Sequence, residues 1–322
     1  MAHLNSLLAI CTQKLGPNPR RKYFIKNRIY ILFVLGLWIN QVSGQELEPR
    51  SYAALPTNLN ALAIVAGISN GNVLTEPSLP INNLDVTLYS GGLGYVRTFG
   101  IGDKLARISA SLPFATISGS AQLNGRDTAA SRFGWGDARI RFGINLIGSP
   151  ALNKKQFASY TQKTVVGISL VTSMPTGTYY PSKLINMGTN RWGFKPEIGI
   201  SQRVGRLYLE AYVGTWFYTH NTNYLDGKVL SQNPLGSFQA HVCYYFKNKM
   251  WISADGNWFS GGEVRVNGNV SGADFDNWRG GGAWSVPVAG GQSIKFQFHS
   301  GVFTNRGYNY NSYSLAYQYI FF

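Results

Sequence analysis

Charged residues are scarce in this sequence, and its mean hydropathy is close to zero. They make up 13% of the 322 residues, whereas they make up about a quarter of a typical soluble domain. The mean hydropathy of -0.09 excludes a bundle of membrane-spanning helices, whose segments are strongly apolar. The aromatic content of 14% and the 37 glycines instead suit a chain whose apolar and polar positions cancel in the average.

Signatures of common chemistry are also missing. The four histidines are dispersed, and no His-Glu-x-x-His, Cys-x-x-Cys or phosphate-binding loop occurs. Beyond Gly44, basic residues are scattered instead of forming the stripe that nucleic-acid binding needs. We therefore predict no enzyme activity, no cofactor, no metal and no nucleic-acid partner. A barrel hydrolase that pairs His241 or His299 with a serine is the weakest alternative.

The N-terminus has the layout of a secretory signal peptide. Residues 20–28 are basic, residues 29–39 are almost wholly apolar, and small residues follow up to Gly44. Eleven apolar residues are too few for a helix across a bilayer core of about 30 Å. We predict a leader over 1–44 and an exported body over 45–322. Six basic residues and no acid precede Gly44, so cleavage lowers the net charge from +15 to +9. It also leaves Cys243 as the one cysteine, which excludes an internal disulfide.

The stretch 135–147 carries the clearest structural pattern. Asp137, Arg139 and Arg141 alternate with apolar residues, and a β-strand sends such alternating side chains to opposite faces. One face suits lipid and the other suits water, as in a membrane-spanning strand of a water-filled barrel. One strand alone also fits the exposed edge of a soluble sheet. About twelve such segments follow Asn60, however, which favours the barrel.

The connections between these segments alternate in length. Tight turns rich in Gly, Asn and Asp occupy 100–104, 204–205, 247–249 and 289–291, and long polar loops occupy 72–83, 119–134, 174–190, 220–233 and 261–275. Outer-membrane barrels have short turns on the periplasmic rim and long loops on the extracellular rim. The connection 149–159 is longer than a periplasmic turn should be.

The last strand resembles the C-terminal assembly signal of outer-membrane barrels. Its alternate positions are apolar or aromatic: Tyr313, Leu315, Tyr317, Tyr319 and Phe321. The chain ends one residue later at Phe322, a small departure from the usual register. This resemblance implies the barrel-assembly machinery as a partner, besides outer-membrane lipid.

The body also resembles a family of bacterial outer-membrane transporters labelled for a MetA pathway of phenol degradation. The most specific stretch is 184–199, Leu-Ile-Asn-Met-Gly-Thr-Asn-Arg-Trp-Gly-Phe-Lys-Pro-Glu-Ile-Gly, with support from 47–52, 94–99 and 164–167. The resemblance covers almost all of 47–322. It implies a single barrel in the outer membrane that moves hydrophobic or aromatic small molecules.

The sequence thus predicts an all-β protein, an antiparallel up-and-down transmembrane β-barrel of about twelve strands that passively passes small molecules. Ten charged residues would line its lumen: Arg107, Asp137, Arg139, Arg141, Lys195, Glu197, Glu210, Asp255, Arg279 and Lys295. Their basic excess hints at anions. Lys195 would pair directly with Glu197 or across strands with Glu210. These charges would form either a structural charge ladder or a selective constriction.

A barrel of this size is narrow, so a partly filled channel is expected. The runner-up interpretation is a structural or adhesive barrel with a plugged lumen.

Overall fold

The computed structural model describes residues 47–72, 81–123, 126–183, 185–272, 274–304 and 309–322. The predicted leader, 1–44, lies outside this part of the chain. Within it are one short helix, α1 (Lys154–Phe157), and seventeen strands. The strands are β1 (Asn60–Asn72), β2 (Ile81–Ile101), β3 (Lys104–Leu123), β4 (Arg126–Trp135), β5 (Arg139–Ile147), β6 (Thr164–Ser173), β7 (Gly193–Val204), β8 (Leu207–Tyr218), β9 (Asn221–Tyr224), β10 (Lys228–Gln232), β11 (Leu235–Tyr245), β12 (Trp251–Gly261), β13 (Val264–Val266), β14 (Asn269–Gly272), β15 (Phe275–Ala289), β16 (Gln292–Thr304) and β17 (Asn309–Phe321).

Most strands form one closed antiparallel sheet. The order runs β2-β1-β17-β16-β15-β12-β11-β8-β7-β6-β5-β3, and β2 pairs with β3 to close the ring. The strand β4 pairs with the second half of β3, while β5 pairs with its first half. Together β4 and β5 therefore occupy one strand position beside β3, and the barrel has twelve strand positions. The predicted all-β barrel of about twelve strands is confirmed.

The burial of side chains is reversed from that of a soluble protein. In β7, Ile198 and Ile200 are 52% and 43% exposed on the outside, whereas Lys195 and Glu197 are buried on the inside. The same alternation recurs from strand to strand, so an apolar belt surrounds a polar interior. Lipid is the solvent in which such an outer surface is stable. The described ranges contain no helix that is long and apolar enough to cross a membrane.

The two rims of the barrel differ, as the lengths of the connections predict. Tight turns join β2 to β3, β7 to β8, β11 to β12 and β15 to β16 on one rim, named here the turn rim. The long connection 148–163 also lies on this rim. Its helix α1 begins with a capping box at Asn153, and Phe157 packs with Ala54 and Val165. The opposite rim is named here the loop rim.

The structure corrects the boundaries at the loop rim. The stretch 135–147 is not one strand, because residues 136–138 separate β4 from β5. The predicted loop 119–134 is largely the β3–β4 hairpin. The predicted loops 220–233 and 261–275 contain β9, β10, β13 and β14, which form a separate four-stranded sheet. Tyr224, Leu230 and Val264 stabilise that sheet as a small buried apolar cluster, which the alternation rule could not identify.

Candidate functional site: the barrel interior and its plug

Residues 47–59, named here the plug, cross the interior of the barrel before β1 begins. The backbone N–H of Glu48 donates to Gln239 on β11, and that of Arg50 donates to Glu210 on β8. From the other side, the Arg107 guanidinium on β3 donates to the carbonyls of Ser51 and Ala53. Polar side chains from several strands of the barrel therefore hold the plug in place.

The side chain of Arg50 lies in a pocket of the wall. Its Nη1 is 2.8 Å from Oε1 of Glu210 and 3.2 Å from Oγ of Ser201. Its guanidinium carbon lies 3.8 Å from the ring centre of Tyr208 and 5.6 Å from that of Tyr245. Burial alone lowers the pKa of Arg50, but the neighbouring Tyr245 and Glu210 outweigh it and raise that pKa. The plug thus carries a permanent cation into the wall.

The ring of Tyr52 lies in a slot between two glycines. A Cβ at Gly199 would be 2.2 Å from the ring, and a Cβ at Gly167 would be 2.6 Å from it. The phenol oxygen is 3.0 Å from Oγ of Ser169, and it donates to Oε1 of Glu197 at 3.1 Å. Only 2% of Tyr52 is exposed. The wall therefore already accommodates a phenol group, with polar partners for its hydroxyl.

The ten charged residues proposed from the sequence differ in burial and do not form one group. Seven are buried: Arg107, Asp137, Lys195, Glu197, Glu210, Asp255 and Arg279. Arg139, Arg141 and Lys295 are partly exposed. The structure brings Arg107, Arg141, Glu197 and Glu210 together around the plug.

Ion pairs join this group along the wall. Lys195 pairs with Glu197 at 2.7 Å, and Arg141 pairs with the same carboxylate at 2.6 Å and with Glu48 of the plug at 3.2 Å. Glu210 takes no part in that ladder, because its cation is Arg50. Buried carboxylates at this depth are stable only with such partners.

Of the other predicted residues, Arg139 and Arg279 contact groups of the wall, and Lys295 has Glu48 of the plug and Asp255 as charged neighbours. The guanidinium carbon of Arg139 is 5.8 Å from the ring centre of Trp216. Arg279 donates to the carbonyl of Tyr310 at 3.1 Å. Lys295 lies on β16 opposite Ser285 and Ala316.

Asp255 belongs to a buried polar group with His241 and Ser253. Its Oδ1 is 2.7 Å from Nδ1 of His241, and its Oδ2 accepts from the Ser253 hydroxyl at 2.8 Å. A hydrolytic triad needs the serine on the second nitrogen of the histidine. Here the serine binds the carboxylate instead, so this group does not have the nucleophile–base contact. Among the described residues, no cluster of three or more metal-ligating side chains occurs.

Asp137 closes the interior at the loop rim. Its carboxylate accepts from the backbone N–H of Gly177 and of Thr189, each at 2.9 Å, and from the Thr189 hydroxyl at 2.6 Å. These bonds hold the connection 174–192, named here the inward loop. Its residues Ile185 and Met187 pack against an apolar cluster of Val86, Leu88, Ala115, Ile117 and Tyr310. The plug and the inward loop therefore contact the interior from opposite rims.

Sequence reasoning missed the plug and its residues Glu48, Arg50 and Tyr52. The stretch 47–52 figured only in the family resemblance. One local signal was present: a charged Glu-Pro-Arg run precedes the first alternating strand without any periodicity of its own. Such a run predicts irregular structure, but it does not predict where that structure lies.

These features define a class of protein. A closed antiparallel barrel with an apolar belt outside and a polar interior is the architecture of bacterial outer-membrane β-barrels. The chain has the fold of this class. A family model described as "Putative MetA-pathway of phenol degradation" matches residues 66–317, and the chain belongs to that family.

A solved structure shares this fold, and two others are more distantly similar. The COG4313 outer membrane channel from Pseudomonas putida F1 matches with a TM-score of 0.71 and 16% identity over 86% of this chain and 100% of that chain. The transport unit of the autotransporter AIDA-I from Escherichia coli gives a TM-score of 0.49 at 12% identity over 87% and 94%. A Pseudomonas aeruginosa FadL homologue gives 0.41 at 9% over 81% and 90%. A comparison with curated protein sequences gave no match.

Proposed function

We propose that this barrel is a gated passage for small molecules, including aromatic ones, and that the plug and the inward loop are its two closures. The observation that carries the proposal is the nature of the contact between plug and wall. Glu48, Arg50 and Ser51 meet the wall through hydrogen bonds and ion pairs. A polar interface of this kind can exchange partners with water or with a solute.

The energetics of polar contacts favour such exchange. A neutral hydrogen bond between protein groups replaces bonds to water, so its net contribution is only about 0.5–1.5 kcal/mol. The buried Arg50–Glu210 pair costs more to break, unless water or another cation takes the place of Arg50. An apolar filling would instead expose its whole surface to water on opening, at about 25 cal/mol for every Å². The polar wall that remains after withdrawal of the plug can hold water. We therefore infer that the ten charged residues proposed from the sequence line the passage.

The slot that holds Tyr52 supports aromatic cargo. Its two glycines leave room for a flat ring, and Ser169 and Glu197 bind a hydroxyl on that ring. A phenolic solute could use the same groups after the plug withdraws. The name of the family points in the same direction.

Export and assembly belong to the same proposal. The leader 1–44 would direct the chain out of the cytoplasm, and the body 45–322 would fold as plug and barrel together. The aromatic stripe of β17 would engage the barrel-assembly machinery. We propose no catalytic step and no cofactor.

A second candidate function is a structural or adhesive barrel with a permanent plug. One observation favours it: the plug touches β3, β5, β6, β7, β8 and β11 and buries Tyr52. Such extensive anchoring would stabilise a static filling equally well.

Solute uptake separates the two candidates. We would load wild-type barrel into liposomes and measure entry of 4-hydroxybenzenesulfonate, a phenol that lipid excludes, with methanesulfonate as the control without a ring. The passage predicts entry above that of empty liposomes, and faster entry for Tyr52→Ala. Equal rates for empty liposomes, wild type and variant would support the static plug and contradict the passage.

A further inference from the structure

The pocket around Arg50 is built entirely from the barrel wall, apart from its occupant and Gln162. Ser201 comes from β7, Tyr208 and Glu210 from β8, and Tyr245 from β11. The plug contributes the guanidinium and the backbone N–H of Arg50, and both bind Glu210. If the plug withdraws, the pocket therefore keeps its shape and its chemistry.

The emptied pocket would need another cation. The Glu210 side chain is 0% exposed, and besides Arg50 it accepts from the hydroxyls of Ser201 and Tyr212 at 2.7 Å and 2.6 Å. Those neighbours are neutral, so withdrawal of Arg50 leaves the Glu210 carboxylate without a counter-charge. Water can solvate that carboxylate in the open barrel, but a cation that also contacts the surrounding rings and acceptors replaces what Arg50 supplied.

Two aromatic rings determine which kind of cation fits. Tyr208 and Tyr245 stand edge to face, with ring centres 5.1 Å apart and planes at 64°. A planar guanidinium gains from stacking on a ring as well as from the carboxylate, whereas a small hydrated ion gains little from the ring. The acceptors Ser201 and Gln162 bind further N–H groups.

Arg50 itself fits this pocket imperfectly. Its backbone φ is 70°, a left-handed conformation that is unfavourable for a residue with a side chain. Its Nε is buried and has no acceptor among the described residues. A free solute has no backbone to strain and can turn all its donors towards acceptors. The strained, tethered guanidinium of Arg50 therefore competes for the pocket with the unstrained guanidinium of a free solute.

We propose that this pocket is a binding site for a solute with a guanidinium group, and that the solute competes with Arg50 and so releases the plug. The proposal rests on the proposed function only in requiring that the plug can move. Solute binding and opening are then linked, because the solute binds the open state and Arg50 occupies the closed one.

The wild-type chain contains its own reporter. Cys243 faces Tyr208 across β8 and β11, and it is a free, fully buried thiol. In a Cys11→Ala chain it is the one thiol. We would measure the rate at which methyl methanethiosulfonate modifies this thiol in the presence of methylguanidinium chloride. The control contains urea at the same concentration, with sodium chloride added to give the same ionic strength. A tethered group competes at an effective concentration on the order of millimolar, so ~50 mM methylguanidinium should speed modification several-fold.

Variants decide whether this pocket is responsible. Glu210→Gln should abolish the methylguanidinium effect, and Tyr208→Leu should weaken it, while heat-modifiable electrophoretic mobility verifies that each barrel is folded. No acceleration in the parent chain, or the same acceleration in both folded variants, would overturn the proposal. If methylguanidinium accelerates thiol modification in a barrel that takes up no solute, this site is supported and the passage is contradicted. If the barrel takes up solute but methylguanidinium does not accelerate modification, the passage is supported and this site is contradicted.

Discussion

At the scale of the residue, a missing methyl group determines where the plug sits. Gly199 has no side chain, and the ring of Tyr52 occupies the space where a Cβ would lie. Gly94 also faces the interior, but a Cβ there would meet only the Cβ of Ala63 at the ordinary distance of 3.6 Å. The two glycines therefore make a matched pair for testing the slot.

Gly199→Ala should displace Tyr52 and raise the fraction of time that the channel is open. The new methyl cannot share its space with the ring, because atoms 2.2 Å apart repel strongly and the backbone of β7 is fixed by its neighbours. Planar-bilayer recording measures the open fraction. Gly94→Ala should behave as wild type, and equal effects of the two substitutions would count against the slot.

The outer surface can be tested at the same scale. Ile198 lies near the middle of β7 and is 52% exposed, whereas Val204 at its turn-rim end is 54% exposed. An arginine on the lipid face costs about 2–4 kcal/mol at the bilayer midplane and about 0–1 kcal/mol near the interface. Ile198→Arg should therefore lower the free energy of unfolding in liposomes far more than Val204→Arg, as denaturant titration would measure. Similar losses at both positions would mean that lipid does not surround β7.

At the scale of the element, the inward loop depends on one carboxylate. Asp137 makes three hydrogen bonds to the loop, and this explains why 136–138 leave the strand that the sequence predicted over 135–147. The alternation of 135–147 was a sound signal for β5. It could not reveal the interruption, because the partners of Asp137 lie 40 and 52 residues further along the chain.

Asp137→Asn should loosen the inward loop without opening the barrel. The amide keeps one acceptor but loses the charge that strengthens bonds to N–H groups, a loss of about 1–3 kcal/mol in local stability. We expect faster proteolysis within 174–192 of the folded barrel. Asp103→Asn, in an exposed turn on the opposite rim, is the control. Unchanged cleavage in the Asp137 variant would show that the loop is held by its apolar contacts alone.

At the scale of the whole molecule, the strands of the barrel could be predicted from the sequence, but the position of the plug could not. Alternation such as that of 194–203 predicts a strand between lipid and water, because both environments act on each residue locally. Turn composition predicts which rim is which. The plug has no comparable signal: Arg50 meets Glu210 across 160 residues of sequence, and only the closed barrel brings them together. The pair Lys195–Glu197 could be proposed from its two-residue spacing, whereas partners distant in sequence could not.

The central claim is that solute crosses the interior when the plug withdraws. Cys243 faces that interior and is buried while the plug is in place. The decisive measurement is the current through a Cys11→Ala channel in a planar bilayer during addition of an anionic thiosulfonate reagent. We predict that the current falls irreversibly as Cys243 is modified during openings, and that Cys243→Ser channels keep theirs. A current that persists unchanged with Cys243 present would contradict the account.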